Sequence, residues 1–192
     1  LTKLPKLKKI FFASCGSLIH VKNTLQILKF LKVFSQIANN YELVYYCIGI
    51  GKEKDEIIKY ASDNFKSNLK FEYVPKVTKL VEFLHKNEIN FFLNFSLSEG
   101  LSFAVMEALS CNIPIICSNI PGNFEIVNKE NGYLIDDHSD DHYVIKSQEI
   151  ISDIERKKYL SKALNCEKTI NEKLSRDINL KEFDKLLNKI II

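Results

Sequence analysis

The sequence predicts an α/β fold in which a parallel sheet carries helices on both faces and is followed by a helical tail. Short apolar runs of strand length alternate with segments of helical period up to about residue 140. Most of the strand-like runs are apolar throughout rather than alternating, which is typical of strands covered on both faces. Repeated strand–helix units predict parallel strands joined by right-handed crossovers, and hence a Rossmann-like domain.

Six runs are predicted to be strands, with helices between them. The strands are expected at residues 9–14, 41–48, 69–73, 91–95, 113–117 and 133–135. The helices are expected at residues 23–38, 53–64, 77–87 and 102–110, with a short helical turn at 123–127. In the first helix Leu25, Leu28 and Leu31 recur at three-residue steps, the spacing of one buried helix face.

The chain is predicted to form one domain with flanking segments. A length of 192 residues with 46% hydrophobic composition is enough for one buried core. We interpret residues 1–8 as a linker left from a longer chain, residues 9–165 as the Rossmann-like domain and residues 166–192 as the helical tail. Residues 178–190 carry one apolar face, so the tail is expected to pack against this domain or against another one.

Charge and composition argue against several classes of protein. The formal net charge is only +3 and the lysines are scattered, whereas nucleic-acid-binding surfaces gather basic residues on one face. The five cysteines form no Cys-x-x-Cys pair, so free thiols in a reducing cytosol are expected rather than disulfides or a zinc site. No apolar stretch is long enough to span a membrane and no signal peptide is recognisable, so a cytoplasmic protein is expected.

The strongest functional signal lies at residues 98–109, after the fourth predicted strand. Glu99 falls at the carboxyl edge of the sheet, where open α/β sheets bind ligands. Gly100 permits a tight turn there. The helix beginning near Ser102 directs free N–H groups to the same edge, which suits an anion or a phosphate.

Glu107 is the one charged residue in the apolar stretch 103–109 of that helix. A partly buried carboxylate needs hydrogen-bond donors, and the paired hydroxyls of a ribose would supply two. The spacing alone leaves an alternative open, in which Glu99 is favoured by the helix dipole and Glu107 lies on a narrow solvent-facing stripe.

Several motifs follow one another over some forty residues. Glu99 and Glu107 are separated by seven residues, and an Ile-Pro-Ile-Ile strand follows at 113–116. A turn with Gly and Glu follows at 121–127, and then Asn-Gly at 131–132. This series resembles the family-4 retaining glycosyltransferases of GT-B architecture. Their donor domain carries Glu-x7-Glu, a Gly-x-Pro-Val-Ile-like strand, a Gly-Gly-x-x-Glu turn and Asn-Gly.

The resemblance implies that this chain is the C-terminal half of a GT-B enzyme, which binds a nucleoside diphosphate sugar. It implies that Glu99 contacts hydroxyls of the donor sugar and has a catalytic role, and that Glu107 binds the ribose. It also implies that backbone N–H groups hold sugar or diphosphate oxygens. These groups belong to Gly100, Leu101, Ser102 and Phe103.

The loop after the first strand resembles the Gly-Arg-Leu-x-x-x-Lys-Gly loop of the family, whose Arg and Lys neutralise the diphosphate. Gly16 matches the first glycine and Lys22 matches the lysine, so both are expected to bind the donor, with Lys22 also catalytic. A cation at a helix start is disfavoured unless an anion lies there. Ser17 stands where the family has arginine, which removes one charge-assisted contact to the diphosphate.

The implied reaction is sugar transfer to an acceptor with retention of configuration. Helix-terminal N–H donors and fixed positive groups would assist departure of the diphosphate, with no metal and no cofactor. The acceptor would bind an N-terminal domain that this chain lacks. The resemblance also suggests a role in bacterial surface polysaccharide synthesis at the inner face of the membrane, with peripheral membrane association of the full-length protein.

Three alternatives stay open at this point. Ser17 favours a non-catalytic sugar-nucleotide-binding or assembly module derived from the same fold. A Rossmann oxidoreductase is disfavoured, because Gly-Ile-Gly at 49–51 lacks the third glycine of the dinucleotide motif and follows the second strand, not the first. The Asp- and His-rich stretch at 136–142 is expected to be a solvated loop with an Asp or Ser helix cap rather than a metal cluster.

Overall fold

The computed structural model describes residues 8–175 and Leu180. Six parallel strands form a single sheet in the order β3-β2-β1-β4-β5-β6. The strands are β1 Lys9–Cys15, β2 Glu42–Ile48, β3 Leu69–Val74, β4 Phe91–Asn94, β5 Ile115–Ser118 and β6 Gly132–Ile135. The α/β Rossmann-like fold expected from the alternation is therefore confirmed.

Within residues 8–175, six α-helices connect or follow the strands. They are α1 Thr24–Ile37, α2 Lys54–Asn64, α3 Leu80–Lys86, α4 Phe103–Ser110, α5 Asp140–Glu155 and α6 Lys158–Thr169. A short 3-10 helix at His20–Lys22 precedes α1, and a π-helical turn at Ile170–Leu174 follows α6. No helix in the described part of the chain is long and apolar enough to cross a lipid bilayer.

Two element boundaries differ from the prediction by more than one residue. The fifth strand was expected from residue 113, but Ile113 donates its N–H to Ala108 O (3.1 Å), so this residue still closes the end of α4. The third helix was expected from residue 77, but it begins at Leu80, after an extended segment that contains Pro75. The segment at 123–127 forms hydrogen-bonded turns, as expected.

Alternate residues of each strand face two different apolar layers. Phe12 of β1 lies in the layer formed with α1, α2 and α5, where its ring centroid is 5.3 Å from that of Phe34. The adjacent Ala13 faces the opposite layer, formed with α3 and α4, where Leu84 and Val105 are fully buried. Burial on both faces explains why the central strands are largely apolar, whereas the edge strand β3 is only partly buried and carries Lys70 and Glu72.

The helix α6 belongs to the domain along its whole length. Tyr159 donates its buried hydroxyl to Asn90 O (2.9 Å), and Asn131 Nδ2 donates to Thr169 Oγ1 (2.8 Å). The boundary predicted between residues 165 and 166 lies inside α6. Residues 1–7 of the predicted linker, and the apolar face predicted at 178–190 apart from Leu180, lie outside the described residues.

The five cysteines are free thiols, as the sequence predicted. Burial raises the pKa of Cys47 to about 11, although the Tyr45 side chain opposes this effect. A thiol with a raised pKa is less nucleophilic at neutral pH because less of it is present as thiolate. The three buried cysteines, Cys47, Cys117 and Cys166, therefore act as small apolar core residues.

The loop Gly49-Ile50-Gly51 packs against the loop that follows β1. Leu18 donates its N–H to Ile50 O (2.8 Å), and Glu53 donates its N–H to Leu18 O (3.1 Å). A Cβ atom on Gly51 would lie 2.1 Å from Leu18 O, so only glycine fits. The Gly-x-Gly pattern therefore serves a tight backbone-to-backbone contact between two loops.

We expect Gly51→Ala to lower the free energy of unfolding by about 2 kcal/mol or more, because the new methyl group would clash with backbone atoms. Urea unfolding followed by circular dichroism measures the loss. Gly100→Ala is the matched control, since a Cβ there meets nothing within 4 Å. Equal stability of the two variants would contradict the proposed contact.

Candidate functional site

The candidate site lies where the sheet order reverses. β1 pairs with both β2 and β4, and the chain after β1 enters α1 on one face while the chain after β4 enters α4 on the other. The loops that leave β1 and β4 therefore separate at the carboxyl edge and open a crevice, the usual ligand position in open α/β sheets. We call residues 16–23 the first loop and residues 95–102 the second loop.

An ion pair joins the two loops. Lys22 Nζ lies 2.6 Å from Glu99 Oε2, and the two side chains are 30% and 12% exposed. Leu97 donates its N–H to Val21 O (2.8 Å), which fixes the backbones beside this pair. The structure thus brings together two residues that are 77 positions apart in the sequence and that the sequence analysis assigned to one site.

The conformation of the first loop follows from its sequence. Gly16 continues the pairing with β2 by donating its N–H to Ile48 O (3.0 Å). Asn23 has a left-handed backbone (φ 52°), which explains why this position suits glycine or asparagine. The Lys22 side chain passes over Gly16, with its Cδ 3.9 Å from where a Cβ would be. Ser17 is exposed beside them.

The second loop is held by a buried polar network. Asn94 accepts a hydrogen bond from the Ser96 N–H at its Oδ1 (3.2 Å), and its Nδ2 lies 3.2 Å from Ser102 Oγ. Ser96 donates its hydroxyl to Glu99 Oε2 (2.8 Å). The sequence analysis missed Asn94 and Ser96. The signal available in the sequence was the presence of polar residues within a buried run at the carboxyl edge of the sheet.

The start of α4 faces the crevice with free donors. Ser102 is the N-cap in an extended conformation, and its side chain makes no capping hydrogen bond. The first turn of a helix has N–H groups without intrahelical acceptors, and these favour an anion. No acidic residue occupies this first turn. Leu101 is exposed on one side of the N-cap and Phe103, 80% exposed, on the other.

Glu107 lies one turn further along α4, about 6 Å from its start. It is half-buried, and its carboxylate makes no hydrogen bond or ion pair with the described residues. Burial and the nearby Glu107 carboxylate raise the pKa of Cys15 to about 11, which places Glu107 near the end of β1. A half-buried acceptor without a donor is free to bind the hydroxyl groups of a ligand.

A glycine of the turn after β5 supports the second loop from its side. Gly122 has a positive φ of 84°, and a Cβ on it would lie 1.9 Å from Gly100 O and 2.5 Å from Glu99 O. The adjacent buried Asn123 donates its side-chain N–H to Ser118 O (3.0 Å). The Gly-x-x-Glu turn therefore fixes the backbone that carries Glu99.

His138 forms a second polar cluster at the same edge. Its Nε2 is 3.2 Å from Ser118 Oγ, and its Nδ1 is 2.7 Å from the hydroxyl of Tyr143. Burial lowers the pKa of His138, and the neighbouring His142 adds to this effect while Asp137 opposes it. The imidazole is therefore held neutral, with its ring centroid 5.3 Å from that of Phe95 in the second loop.

The stretch 136–142 contains the cap of α5, as the sequence predicted. Ser139 is the N-cap, and its side chain accepts a hydrogen bond from the backbone N–H of His142. Asp140 and Asp141 follow in the first turn, where negative charge is favoured by the helix dipole. These residues stabilise the start of the helix.

Comparison with known proteins agrees with this geometry. The sequence matches the family of group 1 glycosyl transferases over residues 2–165. The structure resembles S. aureus TarM in complex with UDP, with a TM-score of 0.74 and 19% identity over 97% of this chain and 37% of that chain. It also resembles Anabaena HepE in complex with UDP and glucose, with a TM-score of 0.73 and 16% identity over 93% of this chain and 48% of that one.

A third similar structure is the C-terminal domain of the group 1 glycosyl transferase LpcC from Francisella tularensis. The TM-score is 0.71 with 18% identity, over 87% of both chains. The chain thus spans less than half of TarM and of HepE, and nearly all of an isolated C-terminal domain. At these identities the comparison shows a shared fold, that of the C-terminal domain of GT-B glycosyltransferases.

The neutral His138 makes folding stability depend on pH. Its pKa is lower in the folded state than the value of about 6.5 expected when unfolded. The unfolded state therefore takes up a proton first, and stability is lost as the pH falls below about 6.5. We expect the urea midpoint of wild type to fall between pH 7.5 and 5.5, and His138→Gln to reduce that fall.

His85→Gln is the matched control, because His85 is exposed on α3. It should keep the pH dependence of wild type. The assignment to His138 would be wrong if His138→Gln and wild type showed the same change in midpoint.

Proposed function

The chain belongs to the group 1 glycosyl transferases, and on this premise we propose that it is the donor-binding C-terminal half of a family-4 retaining enzyme. The single observation that carries this proposal is the contact of Lys22 with Glu99 across the crevice, beside the free start of α4. The cation and the helix N–H donors suit the diphosphate of a nucleoside diphosphate sugar, and the carboxylate at the same edge suits the hydroxyls of its sugar.

Each part of the donor has a suitable partner. The diphosphate would bind Lys22 and the N–H groups of the first turn of α4, which combine charge and helix dipole. Glu99 would accept hydrogen bonds from hydroxyls of the sugar. Glu107 lies about one turn along the helix and would accept hydrogen bonds from the ribose. UDP is the nucleotide named in the TarM and HepE complexes, which makes it the first probe for this chain.

The chemistry proposed for the full-length enzyme is transfer with retention of configuration. The bond between the anomeric carbon and the diphosphate oxygen breaks, and that carbon bonds to the acceptor hydroxyl oxygen on the same face. The proton of that hydroxyl passes to the departing diphosphate. Negative charge grows on the leaving diphosphate, so Lys22 and the start of α4 stabilise the transition state more than the ground state. No metal ion is required by this scheme, since the protein supplies the positive charge.

The acceptor is proposed to bind a domain outside this chain. Exposed apolar side chains surround the polar crevice, and such a patch marks an interaction surface. They include Ile50, Leu97, Leu101, Phe103 and Phe124. We propose that the acceptor domain packs over these exposed apolar side chains. The chain alone is then expected to transfer negligible sugar. We further propose that the whole enzyme builds surface polysaccharide at the inner face of the membrane.

Binding of UDP by this chain tests the donor site. We expect weak binding in calorimetric titration in a buffer with EDTA, and no detectable binding by Glu107→Ala, because the ribose then loses its acceptor. Glu167→Ala is the matched control, since Glu167 is exposed on α6. Equal binding by wild type and Glu107→Ala would refute the role of Glu107, and absence of binding by wild type would refute the donor site.

Ser17 favours a second function, a non-catalytic sugar-nucleotide-binding module. It is exposed at the mouth of the first loop, where the resemblance implies an arginine. An arginine there would add a bidentate contact to the diphosphate. Ser17→Arg is therefore expected to tighten UDP binding about tenfold, a gain of about 1.4 kcal/mol.

The control for this variant is Ser110→Arg, which adds the same charge at the exposed far end of α4. UDP release from UDP-glucose by the full-length protein then separates the two functions. Release of UDP by the wild-type protein supports the enzymatic function. Turnover only after Ser17→Arg supports the non-catalytic module, and an equal effect of both variants would mean that the gain is nonspecific.

A further inference from the structure

Ser96 is a buried residue of the second loop that contacts Glu99 at the inner end of the cavity between the two loops. It is 1% exposed, and its hydroxyl donates to Glu99 Oε2 at 2.8 Å. We propose that Ser96 is a positioning residue, which directs Oε1 of Glu99 to the sugar of the donor. This inference rests on the proposed donor site and adds a residue that does not itself touch the substrate.

The two oxygens of Glu99 are not equivalent. Oε2 accepts hydrogen bonds from both Lys22 Nζ (2.6 Å) and Ser96 Oγ (2.8 Å). Oε1 has no hydrogen-bond partner among the described residues. A carboxylate held at one oxygen by two donors from different directions cannot rotate freely, so the other oxygen is the one offered to a ligand.

Lys22 alone cannot fix this orientation. Its side chain is 30% exposed and reaches Glu99 through a long flexible stem. The proposed diphosphate also competes for its charge, so donor binding weakens its hold on Glu99. Ser96 keeps its place when that happens, because it is buried and carries no charge that an incoming anion could attract.

A second buried residue, Asn94, in turn holds Ser96 in place. Its Oδ1 accepts the N–H of Ser96 and its Nδ2 lies by Ser102 Oγ, both at 3.2 Å, so one buried amide links Ser96 to the N-cap of α4. All three residues are buried. The orientation of Glu99 and the position of the helix start are thereby set together, and these are the proposed partners of the sugar and the diphosphate.

A direct test compares the binding of two probes to the 192-residue chain, UDP and UDP-glucose. The dissociation constant for UDP divided by that for UDP-glucose measures how much affinity the sugar adds. We call this quotient the sugar-dependent ratio. In Ser96→Ala, Glu99 keeps Lys22 but loses its fixed orientation. We expect the sugar-dependent ratio to fall by about tenfold or more, the loss of one hydrogen bond to a charged group, with UDP binding unchanged.

Two further variants complete the experiment. Ser98→Ala is the matched control, because Ser98 is exposed in the same loop, and it should leave both affinities unchanged. Ser96→Thr keeps the hydroxyl and should therefore retain most of the sugar-dependent ratio of wild type. Thermal unfolding of each variant checks that it folds.

The possible results separate the two proposals. Wild type that binds neither probe overturns the proposed function. Wild type that binds both, with the same ratio in Ser96→Ala, overturns the role of Ser96. An equal loss for UDP and UDP-glucose in Ser96→Ala also overturns it, because the defect would then be a general distortion of the loop.

Discussion

The ion pair between Lys22 and Glu99 is the contact on which the site depends. The two side chains lie 2.6 Å apart, although they come from loops that lead to opposite faces of the sheet. A partly buried pair of this kind adds little net stability, because desolvation offsets much of the attraction. Its value here is geometric, since it aligns two loops at the one place where the sheet order opens a crevice.

Close backbone contacts make this alignment rigid. The first loop is supported by Gly51, whose missing side chain lets the backbone approach Leu18 O, and the second by Gly122, which lies against Gly100 O. Each contact leaves no room for a Cβ atom. The arrangement of the two loops is therefore preformed, which would reduce the ordering cost of binding a ligand between them.

The polar groups of the site form two sets, one buried and one exposed or partly exposed. Ser96 and Asn94 are enclosed and fix the backbone and Glu99, while the exposed start of α4 and the partly exposed Lys22 keep donors available for an anion. Glu107 stays half-buried and has no donor for its carboxylate within the described part of the chain. A ligand site is expected to combine two kinds of polar group: buried ones whose hydrogen bonds are made within the protein, and others that still lack partners.

The sequence by itself determined the order of strands and helices, because apolar runs and helical periods depend on local side-chain spacing. It also predicted a site containing Glu99 and Lys22, because the spacing of Glu99 and Glu107 and the loop containing Lys22 resemble a known pattern. The spacing of apolar residues predicted the ends of strands and helices less accurately than their order. Ile113 looks like a strand residue, yet its N–H closes α4.

Only the tertiary structure decided which groups support the site. The sequence marks Ser96 and Asn94 only as polar residues in a buried run, and Gly122 only as part of a turn motif. A serine, an asparagine or a glycine acquires a supporting role only through what the fold places beside it. The hydroxyl of Ser96 matters because it lies 2.8 Å from Glu99 Oε2, and Gly122 because Gly100 O lies where its Cβ would be. Spacing along the chain predicts strands and helices, but the distances between loops depend on the packing of the whole sheet.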